Sequence, residues 1–302
     1  MTKKVLVVGA GPAGYTAALY ASRAGFETTL ITGTSVGGQL MLTHMIENYP
    51  GVPTISGMEL MDRFQHQVEE AGVYIVHDVI EQVDFTTYPF ELIGEHLFKA
   101  EAVILASGSV PKWLNIPGEE KFKGKGIGIC AICDGFFYRQ KEVAVIGGGN
   151  TALYEALYLA ETSSKVFLIY PTENLQGEEG LKKAVQQNSK IELKPFCQAL
   201  AFEGEQVLTG VKLKNIQTDQ EEFLPVSGVF VAIGSVPNTD FLKGKLALTH
   251  NGFIQTDKQT MATSVPGVFA CGDVQEPTYR QAIIAAGSGC IAALSAEKYL
   301  KG

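Results

Sequence analysis

The stretch "KKVLVVGAGPAGYTAALYASRAG", Lys3 to Gly25, reads as a strand, a glycine turn and a helix in succession. A β-rich apolar run leads into Gly9-x-Gly11-x-x-Gly14, and residues at helical spacing follow it. A second strand is expected over "TTLIT", Thr28–Thr32. The same grammar returns at Glu142 in "EVAVIGGGNTALYEALYLAETSSKVFLI": strand, Gly147-x-Gly149-x-x-Ala152, helix, strand. One glycine triplet is weak evidence, because glycine-rich turns recur in many proteins. Two of them, each set between a strand and a helix, imply two dinucleotide-type βαβ units. The glycines let backbone N–H groups approach a pyrophosphate, and the start of the helix adds partial positive charge.

Working outward, "AEAVILASGSVPKWLNIPG" (Ala100–Gly118) and "VSGVFVAIGSVPNTDF" (Val226–Phe241) share the pattern strand, then Ala-x-Gly-Ser-x-Pro. Each follows its own βαβ unit, so the two units share a plan down to their closing strands. "SVPGVFACGDV" (Ser264–Val274) adds a strand ending at Gly272-Asp273, where an acid commonly holds a ribityl or ribose hydroxyl; a plain turn aspartate is the competing reading. The expected fold is α/β, with two Rossmann-like three-layer domains and the second inserted into the first. The boundaries are placed at 1–114 with 241–302 for the outer domain and 115–240 for the insert.

Length and composition agree. A chain of 302 residues suits about two domains with ample core. Net charge of −8 argues against nucleic acid or an anionic membrane as partner. The uncharged stretch Gln281–Ala296, "QAIIAAGSGCIAALSA", is too short to span a bilayer and reads as a closely packed helix. Lys3-Lys4 lead directly into a strand with no secretory signal, and five cysteines are too few for a secreted framework, so a cytoplasmic location is expected.

The chemistry sits in "GICAICDG", Gly128–Gly135, where Cys130 and Cys133 are two residues apart and Asp134 follows. Three readings compete. Zinc would need two further ligands, but Cys197, Cys271 and Cys290 are isolated, and no metal site is expected. A pair of buried core cysteines would sit poorly among flanking glycines and an acid. A redox-active disulfide fits best: the short spacer allows reversible closure and lowers one thiol pKa, and Asp134 is the natural acid–base group.

The block "CAICDGFFYRQKEVAVIGGGNTA" resembles the low-molecular-weight thioredoxin reductases, as do "GAGPAG" (Gly9–Gly14), "GGQLMLTHMIENYPG" (Gly37–Gly51), "ACGDV" (Ala270–Val274) and "YRQAIIAAGSGCIAA" (Tyr279–Ala293). The resemblance covers essentially the whole chain. It implies bound FAD, a homodimer, and electron transfer from a pyridine nucleotide through flavin and disulfide to thioredoxin. Carried over by motif, Gly9, Gly11, Pro12 and Ala13 line the FAD pyrophosphate. Thr32, Gly38, Gln39 and Leu40 lie along the cofactor, and Asn48 sits near the flavin. Gly272 and Asp273 meet the ribityl chain, while Arg280, Gln281 and Ala282 start a helix aimed at the ring. Cys133 faces the flavin and Cys130 attacks thioredoxin. The resemblance also implies an insert that rotates on two hinges, placed near Trp113–Pro117 and Pro237–Asp240.

One region departs from the family. Where the resemblance leads one to expect a histidine and arginines gripping a 2′-phosphate, this chain reads Tyr170-Pro171-Thr172-Glu173-Asn174-Leu175-Gln176. From Val166 to Leu181 there is no Lys or Arg, and Glu173, Glu178 and Glu179 are all acids. Tyr154-Glu155 stands where paired acids are usual. Gly147, Gly149, Asn150 and Thr151 still form a possible nucleotide loop, so NADH stays open as donor while NADPH is disfavoured. Reduced ferredoxin is the other candidate, because a plant-type ferredoxin near about −400 mV lies well below thioredoxin near about −270 mV. A reductase of another thioredoxin-like protein is a further alternative.

Overall fold

A computed structural model describes residues 4–43 and 45–302. The chain forms two compact units, one made of the chain up to Val110 and from Val236 onward, the other Pro111–Ser235. The connecting strands Ser109–Pro111 and Ser235–Pro237 pair with each other. These crossings fall a few residues before the boundaries and hinges expected from sequence, at the repeated Ser-Val-Pro triplets themselves.

The first unit is built on five parallel strands in the order Val268–Ala270, Ala102–Leu105, Lys4–Val8, Glu27–Ile31, Tyr74–Val76. Period-2 alternation explains its layers. Val5 and Val7 face a core shared with the helices Pro12–Arg23 and Ala282–Lys301, whereas Leu6 and Val8 face Val83, Phe90 and Leu92 of a small antiparallel sheet. The second strand ends one residue earlier than expected, but the Thr32 amide still donates to the Val76 carbonyl at 3.0 Å.

The second unit repeats the plan. Its parallel strands run Ile191–Lys194, Lys165–Ile169, Glu142–Ile146, Gly228–Val231, Ile127–Gly128. Val143 and Val145 face the helix Asn150–Thr162, and Ala144 and Ile146 face the antiparallel sheet 197–225. Each unit is therefore a helix layer, a parallel sheet and an antiparallel layer, and the fold class is α/β with two Rossmann-like halves.

The small residues of the C-terminal helix have a packing cause. A Cβ on Gly289 would run into the Ala13 backbone, so that helix lies directly against Pro12–Arg23. Among the described residues no helix is long and apolar enough to cross a membrane.

Candidate functional site

In the first glycine loop each glycine has its own task. Gly9 has φ of 112°, and a Cβ there would strike the Ala106 carbonyl. A Cβ on Gly14 would strike the Gly9 carbonyl. Gly11 is different, because nothing lies within 4 Å of where its Cβ would be. It caps the helix Pro12–Arg23 in extended conformation with no side chain bonded to the free amides. A cradle with open amides and room at the middle glycine is what a pyrophosphate requires, so these residues fit FAD.

Five other segments converge on this loop or on each other within the same unit. The Gly37 amide donates to the Ala10 carbonyl at 2.9 Å, and a Cβ on Gly38 would stand 3.3 Å from the Gly11 Cα. That fixes the turn Gly38–Leu42, with Gln39 and Leu40, beside the loop. Buried Thr32 closes its strand, its hydroxyl donating to the Gly33 carbonyl at 3.1 Å. A Cβ on Gly272 would be 2.8 Å from the Ala13 Cβ, and the Gly272 amide donates to the Ser288 hydroxyl at 2.9 Å. Burial pushes the neighbouring Asp273 carboxyl up to about 6, against the attraction of Arg280 and with a small upward push from Glu276. Asn48 Nδ2 donates to Gln281 Oε1 at 3.3 Å. Gln281 caps the helix beginning at Ala282, directly after Arg280.

The second loop copies the first in backbone. Gly147 has φ of 147° and a Cβ there would meet the Ala232 carbonyl, while the space at Gly149 is open. The Gln176 amide donates to the Gly148 carbonyl at 2.7 Å, the counterpart of the Gly37 bond. The side chains differ. Asn150 accepts from the Glu178 amide at 2.7 Å and donates to Glu178 Oε1 at 3.2 Å, beside Thr151. Tyr170 is buried against Gly148, and Leu175 packs in the same core as Leu153. Lys182, the first cation after the acidic segment, is ion-paired with Glu179. Tyr154 is exposed at the surface of the helix and Glu155 is buried.

The disulfide lies in this second unit. Cys130 and Cys133 are bonded with their Cα atoms 5.3 Å apart. Cys130 caps the short helix Ala131–Asp134, and the Cys133 amide donates to its sulfur at 3.2 Å. Ile132, Phe136 and Phe137 are large and exposed around the pair, at 46%, 54% and 49%. The Asp134 side chain caps neither this helix nor the turn after it, and burial raises its pKa. Sequence reading missed the surroundings of that carboxyl, namely Gly128, Phe230 and Tyr138, because only folding brings residue 230 beside residue 128.

Comparison with known proteins agrees with this geometry. The family described as pyridine nucleotide-disulphide oxidoreductase matches residues 3–289. The thioredoxin reductase of Escherichia coli O157:H7 is 46% identical over 310 residues, covering 99% of this chain and 96% of its own length. That of Rickettsia conorii is 42% identical over 306 residues, covering 99% of each. Among solved structures, thioredoxin reductase from Giardia duodenalis superposes with a TM-score of 0.94 at 34% identity, covering 100% of this chain and 99% of the other. That from Streptococcus pyogenes gives 0.89 at 33%, with the same coverage. The chain belongs to the pyridine nucleotide-disulphide oxidoreductases and, among them, to the FAD-dependent low-molecular-weight thioredoxin reductases.

Proposed function

We propose that this enzyme reduces thioredoxin with electrons from a donor other than NADPH, passed through FAD and the Cys130–Cys133 disulfide. The observation that carries the donor reading is the segment after the second βαβ strand. It holds Glu173, Glu178 and Glu179, no Lys or Arg from Val166 to Leu181, and a first following lysine already paired with Glu179. A 2′-phosphate brings nearly two negative charges, and each lost charge-assisted hydrogen bond costs about 1.5–3 kcal/mol. NADH keeps a place because the backbone of the second loop is intact. Reduced ferredoxin is the second reading, favoured by the clasp of Asn150 on Glu178 at the start of the loop helix.

The residues divide by task. Gly9, Gly11, Pro12, Ala13, Thr32, Gly38, Gln39, Leu40, Asn48, Gly272, Asp273, Arg280, Gln281 and Ala282 hold and orient the cofactor. FAD supplies two-electron reduction of the disulfide when bound. Cys130, Cys133 and Asp134 do the exchange. The Cys130 thiolate attacks the substrate disulfide and releases one substrate sulfur; Cys133 then attacks Cys130 and releases the second. Two electrons and two protons leave the enzyme dithiol, and the enzyme disulfide re-forms. The exposed Ile132, Phe136 and Phe137 suit an apolar protein surface, which supports thioredoxin or a thioredoxin-like protein as substrate. The unit 1–110 with 236–302 is the FAD-binding domain in this reading, and the insert carries the disulfide and the nucleotide-type loop. Exposed Ile284, Ile291 and Leu294 on the C-terminal helix support assembly as a homodimer.

The test is anaerobic rapid mixing of the oxidised holoenzyme with NADPH, NADH or reduced ferredoxin, followed by flavin bleaching. Fast bleaching by NADPH at micromolar concentration overturns the donor reading. Cys130→Ser and Cys133→Ser should each abolish thioredoxin reduction with FAD retained; turnover above about a tenth of wild type in either would remove the two-thiol mechanism.

A further inference from the structure

We propose that Gly128 and Phe230 are positioning residues for Asp134: the missing side chain at Gly128 opens a half-buried recess, walled by the Phe230 and Tyr138 rings, that holds the carboxyl for proton exchange with the thiols. This rests on the reading above that the disulfide reduces a protein partner.

Three observations carry it. Gly128 and Phe230 are partners in a parallel ladder, so their side-chain positions lie on one face of the sheet. A Cβ on Gly128 would stand 3.0 Å from Asp134 Oδ2 and 3.5 Å from the Phe230 ring. The conformation of Gly128 is not left-handed, so the backbone does not demand glycine there; the space does. A second glycine clears the neighbouring place. A Cβ on Gly228, two residues before Phe230 on the same face, would run into the Tyr138 ring, which meets Phe230 edge-on at 5.4 Å. Two strand glycines therefore make room for one carboxyl and one aromatic ring, on the face that packs against the helix Asn150–Thr162.

The electrostatics agree with the geometry. Burial is the cause of the raised pKa of Asp134, and the Tyr138 hydroxyl is raised by burial and then by the charge of Asp134. Titratable groups on the elements packed against Ala131–Asp134 are Tyr138 in the following turn and Tyr154, Glu155, Tyr158 and Glu161 on the helix Asn150–Thr162. Arg139 and Lys141 stand over the Phe136 and Tyr138 rings. The Asp134 carboxylate, whose proton affinity burial raises, accepts the proton that Cys130 gives up on attack and returns it to the leaving sulfur, so the carboxyl ends the step as it began it.

Gly128→Ala and Gly128→Ser both fill the recess and push the carboxyl toward water. Serine also places a hydroxyl able to donate to the charged form. In dithionite-reduced holoenzyme mixed with oxidised thioredoxin, the acid limb of the rate profile should move to lower pH by about half a unit to one unit in Gly128→Ala, and further in Gly128→Ser. The infrared band of the protonated carboxyl, identified by its loss in Asp134→Asn, should titrate with the same shift. An unmoved limb and band in both variants, with rates lowered equally at every pH, overturns the inference. Failure of reduced wild type to reduce thioredoxin overturns the functional reading instead, while the infrared titration still decides the recess.

Discussion

The two glycine loops share a backbone and differ in what their surroundings offer an anion. Both place the first glycine against the carbonyl of the closing strand, at Ala106 and Ala232, and both leave open space at the middle glycine. In both, a returning amide bonds the loop carbonyl, Gly37 to Ala10 and Gln176 to Gly148. At the first loop the residue after that amide is Gly38, with neutral Gln39 beyond it, and Arg280 stands near the neighbouring Asp273. At the second the corresponding residues are Gly177 and Glu178, and the carboxylate of Glu178 is bonded to Asn150. Backbone geometry alone therefore does not select a ligand; the charges brought to the loop by the next segment do.

The largest effect should come from putting a charge into each cradle. Gly11→Asp should weaken FAD binding by about 10²–10⁴-fold, because a carboxylate would face a pyrophosphate at close range. The flavin content of purified protein, read from its absorbance, checks this. Gly149→Asp should keep full flavin and lose only NADH-driven bleaching. Loss of FAD in both variants would break the contrast between the loops.

Restoring cations to the second loop sharpens it. Pro171→Arg with Thr172→Arg should tighten NADPH binding by about 10–10²-fold over wild type, the effect of one or two charge-assisted hydrogen bonds. NADH should change far less, since it lacks the 2′-phosphate. Equilibrium binding of both nucleotides to the holoenzyme measures the ratio; an equal gain for both would mean that the arginines act on the shared pyrophosphate.

The pH dependence of the FAD-free protein is the next test. Burial raises the Asp273 carboxyl from 3.8 to about 6, so between these values the folded state binds more protons than the unfolded one. Its contribution therefore falls as pH rises from 4 through 6 and is flat above. Asp273→Asn in the FAD-free protein should raise the melting temperature at pH 7–8 by a few degrees and leave it unchanged near pH 4. A gain of equal size at both pH values would point to packing instead of charge.

The smallest effect expected is that of Asn48→Ala, which removes the bond to Gln281. At an exposed site the loss is about 0.5–1.5 kcal/mol, hence a two- to tenfold weaker FAD affinity in titration of the FAD-free protein. No change would mean that the pair does not help to hold the start of the C-terminal helix.

By itself the sequence determined the two βαβ units, their glycine loops, the shared closing strands and the pairing of Cys130 with Cys133. Those features follow from local rules: alternation fixes which face of a strand is buried, and a glycine is required where a Cβ would strike the next carbonyl. The acidic run after Ile169 was legible for the same reason, since charge can be counted along a chain. Only the tertiary structure decided which distant residues share a site. Asn48 meets Gln281 across 233 positions, Gly272 packs on Ala13, and the Asp134 carboxyl lies in a recess made at Gly128 and Phe230. No local pattern encodes those meetings, because each depends on strands and helices from separate segments packing at a fixed spacing, and burial, which sets the proton affinity of Asp134 and Asp273, exists only after that packing.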